Sequence, residues 1–130
     1  MPTLTIDDRS ATGGPVGTFT MPDVPERLTL RDLIRLRVRE EVARHNLKPL
    51  ERFTGLVQPE GSERDGAGFR VPKGRVVSWE RQADVAIHSF LRNGFFVMVN
   101  GRQVTDLDAQ IVLSETLDIA FIKLTQLVGG

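Results

Sequence analysis

Residues Leu117 to Leu124 carry apolar side chains on both sides of an extended chain. Leu117, Ile119 and Phe121 fall on one face; Ala120, Ile122 and Leu124, with Asp118 before them, fall on the other. A strand that is apolar on both faces belongs inside a sheet, with neighbours on either side and cover above and below. The simplest packing lays this late strand parallel to the first one, Leu4-Thr5-Ile6, at the centre of a mixed sheet. The run then leads to Leu127-Val128-Gly129-Gly130. Glycine has no Cβ, so this tail, residues 127–130, is expected to be narrow and flexible.

The other elements follow from their patterns. Asp7 to Gly17 reads as a loop, marked by Gly13-Gly14-Pro15, and Val16 to Met21 as a return strand with Val16 and Phe19 inward. Thr29 to Asn46 reads as a helix: Thr29 is an N-cap with Asp32 three residues on, and Leu30, Leu33, Ile34, Val38 and Val42 share a face. Arg31, Arg35, Arg39 and Glu40 lie off that face. From Leu47 to Val77 prolines and glycines break every period, which predicts an inserted long loop. Ser78 caps a second helix, Trp79 to Arg92, with Trp79, Ala83, Ala86, Ile87, Phe90 and Leu91 on one side and Asn93-Gly94 as its left-handed stop. Phe95 to Val99 is a strand, Asn100-Gly101 a two-residue hairpin turn, and Arg102-Gln103-Val104 the short return. Thr105-Asp106-Leu107 makes a tight turn. The order predicts an α+β fold: a mixed five-stranded sheet packed on one main helix. The domain is read as 1–130, with an insertion at about 47–94.

Composition narrows the functions available. The 17 basic and 17 acidic residues cancel, whereas an electrostatic nucleic-acid binder carries a basic excess. With no cysteine there is no disulfide, no thiolate metal site and no cysteine nucleophile. No apolar run is long enough to span a membrane as a helix, and no leader pattern opens the chain, so a cytoplasmic location is expected. His88, four residues from Asp84, reads as a solvated pair on a polar helix face. Asp106 and Asp108 read as turn residues rather than paired catalytic acids. Lys73-Gly74-Arg75 lacks the glycines and helix context of a phosphate loop.

Gly101-Arg102-Gln103-Val104-Thr105-Asp106 resembles the turn and short strand before the last strand of ubiquitin-like β-grasp proteins, and Glu115 to Leu124 resembles that last strand. Val99-Asn100-Gly101, Asp118-Ile119-Ala120-Phe121 and Val128-Gly129-Gly130 are similar to the prokaryotic sulfur carriers: the small subunit of molybdopterin synthase and the thiamine-pathway sulfur carrier. Leu28 to Ile34 resembles the start of the family's helix. Residues 47 to 94 have no counterpart there, and the stretch from Phe121 to Gly129 is longer than the family's usual ending. The resemblance implies a ubiquitin-like protein, not an enzyme, whose terminal Gly130 is adenylated by a ubiquitin-activating-type enzyme using ATP and Mg²⁺. The activated glycine would then carry sulfur as a thiocarboxylate or join a target amine. Gly129 would thread a narrow channel. The chain itself would bind no cofactor and no metal. Further implied partners are a conjugating enzyme, a deconjugating protease or a sulfur-accepting enzyme, and neither nucleic acid nor membrane.

The outward face of the last strand, Ala120, Ile122 and Leu124 together with Met98, is the expected partner-docking patch. The competing reading has the inserted helix covering these residues as ordinary core. Two other functions are compatible with the sequence. A β-grasp interaction adaptor without terminal chemistry would work without Gly129 and Gly130. A small enzyme built on residues 47–94 would turn over substrate alone.

Overall fold

The computed structural model describes residues 2–47, 52–53, 55–57, 63–65, 68–70, 77–116 and 118–124. Among these residues the fold is α+β, with a mixed five-stranded sheet and two helices. Two compact units divide it: residues 1–33 with 90–130, and residues 34–89.

The first unit holds the large sheet. Strand β1 (Leu4–Arg9) pairs antiparallel with β2 (Pro15–Met21) and parallel with β10 (Ile119–Lys123). β10 pairs antiparallel with β7 (Phe95–Val99), and β7 with β8 (Arg102–Val104), for an order β2-β1-β10-β7-β8. The late strand is therefore central and parallel to the first, as its two apolar faces require. Ile119, Phe121, Val97, Phe95 and Ile6 are all buried on one side of the sheet, with the Phe95 and Phe121 rings stacked at 5.9 Å. Phe90 tilts onto Phe95 at 5.7 Å.

Strands β1 and β2 are longer than their sequence suggests. The predicted loop over 7–17 shrinks to Ser10–Gly14, closed by hydrogen bonds between Ser10 and Gly14 and between Gly13 and Ser10. Val16 does not point inward. Asp8 opposes Gly17 and Arg9 opposes Pro15, so Val16 is the extra residue of a bulge and stands 62% exposed. A second small sheet, β3 (Arg27–Thr29) with β9 (Gln110–Val112), escapes sequence reading because three-residue strands show almost no period. A 3₁₀ turn, η1 (Leu113–Glu115), leads from β9 toward β10.

Helix α1 (Leu30–Leu47) begins in the first unit and continues in the second. Its start is closed as predicted: Thr29 Oγ1 accepts the Asp32 N–H at 3.1 Å. The Leu30 and Arg31 N–H groups donate to the carbonyls of Ala109 and Leu107, at 3.0 and 2.9 Å. Donors that a helix leaves unpaired are thus met by a distant loop. Leu30, Leu33, Ile34, Val38 and Val42 are all buried, as their spacing requires.

In the second unit, residues 47–77 are not one structureless loop. β4 (Arg52–Phe53), β5 (Glu63–Asp65) and β6 (Gly68–Arg70) form an antiparallel sheet in the order β4-β6-β5. Asn46 ties the far end of this insertion to α1: its side chain donates to the Val77 carbonyl at 2.8 Å and accepts the Val77 N–H at 3.0 Å. Helix α2 (Trp79–Leu91) starts at Ser78, whose Oγ accepts the Arg81 N–H at 3.5 Å. Its buried side is Gln82, Ala83, Ala86 and Phe90. Leu91 is 60% exposed, off the stripe assigned to it, because it sits one residue past Phe90 on the turn. Asn93 takes the left-handed conformation (φ 62°) that stops the helix.

Candidate interaction face

Register places three of the predicted docking residues, Ala120, Ile122 and Met98, on one side of the large sheet. Residues directly opposite on paired strands share a face. Ala120 opposes Met98 and Ile122 opposes Phe96 across β10 and β7. On the other flank Ala120 sits beside Asp7 and Ile122 beside Arg9 of β1. Met98 in turn opposes Gln103 of β8. Leu124 lies just past β10, its N–H on the Gly94 carbonyl at 3.3 Å.

The four predicted residues are not equally available. Ala120 is buried, 5% exposed, and contributes little surface. Met98, Ile122 and Leu124 are half-buried, and so is Phe96. Phe96 was missed by sequence reading, although strand alternation from Met98 puts it on the same face. The result is an apolar strip on β10 and β7 with polar borders: Asp7 and Arg9, 3.9 Å apart, on one side and Gln103 on the other. An apolar centre with a polar rim is the ordinary build of a protein–protein contact. Gly129 and Gly130 lie outside the described residues.

The hairpin turn holds the start of β10. Asn100 (φ 51°) and Gly101 (φ 78°) both take the left-handed conformation that a two-residue turn of this hand needs. The Asn100 amide then does a second job. Its Nδ2 donates to the Glu115 carbonyl at 3.1 Å, and its Oδ1 accepts the Asp118 N–H at 3.2 Å. Its own N–H donates to the Asp118 carbonyl at 3.0 Å.

Glu26 braces the same end. Its carbonyl accepts the Leu113 N–H at 2.9 Å, and its carboxylate accepts the Ser114 N–H at 2.6 Å. Hydrogen bonds from the Ser114 side chain and backbone, with Arg27 nearby, hold the Glu26 carboxyl below its ordinary value. A cleft of about 390 Å³ opens beside it, lined by Pro2 to Thr5, Ser114, Thr116 and Asp118 among others.

The remaining sequence candidates fall where turn and surface chemistry would put them. Asp106 Oδ1 accepts the Asp108 N–H at 2.9 Å, and Asp108 faces Arg31 at 3.5 Å. Asp84 and His88 are exposed on α2. Lys73-Gly74-Arg75 lies outside the described residues. Among the described residues, no group of three or more His, Cys, Asp or Glu side chains could hold a metal ion. Nor is any helix among them long and apolar enough to cross a membrane.

No protein family, no curated protein and no solved structure matches this chain.

Proposed function

We propose that this chain is a ubiquitin-like, β-grasp protein of the sulfur-carrier or modifier kind, activated at Gly130. The observation that carries the reading is the strand order β2-β1-β10-β7-β8, with its central pair parallel and its outer pairs antiparallel. That arrangement places the late strand at the middle of the sheet, and in the sequence Leu127-Val128-Gly129-Gly130 follow it.

A carboxylate is a poor acyl donor because its oxygen leaves badly. In the proposed scheme a terminal carboxylate oxygen attacks the α-phosphorus of ATP held with Mg²⁺ on an adenylating enzyme, and pyrophosphate leaves. A sulfur nucleophile then attacks the acyl carbon and AMP leaves, giving a thiocarboxylate or a thioester; amine attack on a thioester gives an isopeptide. This chain supplies the docking surface and the reacting terminus. Binding energy from the strip formed by Ile122, Leu124, Met98 and Phe96 positions the carboxylate from a distance.

Incubation with ATP, Mg²⁺, a sulfur donor and an adenylating enzyme, read by intact mass, tests the scheme. The expected result is a mass gain equal to one oxygen replaced by sulfur, or a covalent ladder on target proteins. Either product should vanish when Gly130 is deleted. Full biological activity in a chain lacking Gly129 and Gly130 would overturn the scheme in favour of an adaptor that acts only by binding.

A further inference from the structure

The neutral total charge hides a local imbalance. Residues 34–89 contain 11 basic and 8 acidic residues, a net charge of +3; the rest of the chain contains 6 and 9, a net charge of −3. Within the basic unit, two arginines one helical turn apart converge on one indole. The Arg35 guanidinium lies 5.6 Å from the Trp79 ring centre and that of Arg39 lies 5.5 Å from it. Arg39 is exposed, and Arg35 and Trp79 are half-buried.

Like charges at this spacing on a helix repel each other. Two carboxylates of the same helix are committed elsewhere: Glu41 pairs with Arg37 at 3.1 Å and Glu40 with Arg44 at 3.3 Å. Among the described residues no carboxylate forms an ion pair with Arg35 or Arg39. The indole holds both cations in place through its face, and that contact leaves their N–H donors for an acceptor. A stacked, pre-ordered guanidinium loses less freedom on binding a carboxylate than a free one.

We propose that Arg35, Arg39 and Trp79 form a docking platform for an acidic segment of a partner protein. Carboxylates fit it better than a nucleic-acid strand does. A strand of phosphates needs a basic surface tracking several nucleotides on a protein with a basic excess. A short acidic segment needs only the local one. The proposal is independent of the terminal chemistry, and its test does not involve activation.

Trp79 is the chain's one tryptophan, so its emission reports this place alone. The full chain is titrated with an end-capped octaglutamate peptide, and in parallel with a capped glycine–serine peptide and with oligothymidylate. The expected result is a saturable change in Trp79 emission with octaglutamate and none with the neutral peptide. The half-saturation concentration should rise several-fold as salt goes from about 50 to about 300 mM. It should rise at least about fivefold in Arg35→Gln/Arg39→Gln. Arg35→Lys/Arg39→Lys, which keeps the charge but not the planar fork, should fall between the two. Were the glutamine pair to unfold the protein, Arg39→Gln at the exposed position should still weaken binding about twofold. No saturable change, or an undiminished response in the folded glutamine variant, would mean that the arginines only shelter the indole. Tighter binding of oligothymidylate, or a response that follows protein concentration through self-association, would also overturn the proposal.

Discussion

Arg37 and Glu41 show how far a single side chain can depart from its chemistry. Both are buried inside α1, with Arg37 Nε donating to Glu41 Oε2 at 3.1 Å. The other carboxylate oxygen accepts the Leu56 N–H at 3.1 Å. Their positions continue the 30, 33, 34, 38, 42 stripe, so helical spacing predicts burial while residue type argues against it. Position prevails because the pair neutralises itself and takes a backbone donor as well. Glu41→Ala removes a buried partner of Arg37 and the acceptor of the Leu56 N–H together, and should cost about 3–5 kcal/mol in urea unfolding. Arg37→Met/Glu41→Met removes both charges and should cost clearly less than the sum of the two single changes. Simple additivity in that cycle would mean that the two groups do not act as a pair.

At the scale of elements, short pieces are held by side chains rather than by their own propensity. β3, β9 and η1 are three residues each, and Glu26 joins the approach to β3 to the start of η1. Because the folded carboxyl titrates below its ordinary value of 4.5, the ionised form supports the fold. That contribution is complete above the ordinary value and is lost as pH falls through the lowered one. Glu26→Gln should therefore be less stable than the parent near neutral pH, and the two should converge as pH falls through the lowered value. Denaturant midpoints measured at both ends of that range check this; a gap that persists at low pH would mean that packing rather than charge is responsible. The same reasoning explains why these elements were hard to read in the sequence. A three-residue strand has no measurable period, and a brace between positions 26 and 114 leaves no local trace. The Asn100-Gly101 turn was legible because its backbone requires positive φ at both residues, which few residue types accept. The second role of Asn100, linking Glu115 and Asp118, was not, since it depends on where β10 lies.

The whole molecule is two compact units whose boundary cuts through continuous helices. Leu33 and Ile34 are consecutive in α1, and Ser89 and Phe90 in α2. Separating the units would break the Thr29-capped first turn of α1 and the last turn of α2, so they should unfold as one cooperative step. Trp79 emission reports the second unit and far-UV ellipticity reports the whole chain. Their thermal transitions should superimpose, and two separated transitions would show independent units.

By itself the sequence determined the identity and order of the main elements: the capped first helix, the Asn-Gly hairpin, and a late strand apolar on both faces that had to be central. Each rests on a local rule, periodicity or permitted backbone angles, that a short window of residues contains in full. Tertiary structure alone decided the small sheet within residues 52–70, the outward turn of Val16, the burial of Arg37 with Glu41, and the meeting of Arg35 and Arg39 over Trp79. Those depend on residues brought together from distant positions, where energy comes from contact rather than from spacing along the chain.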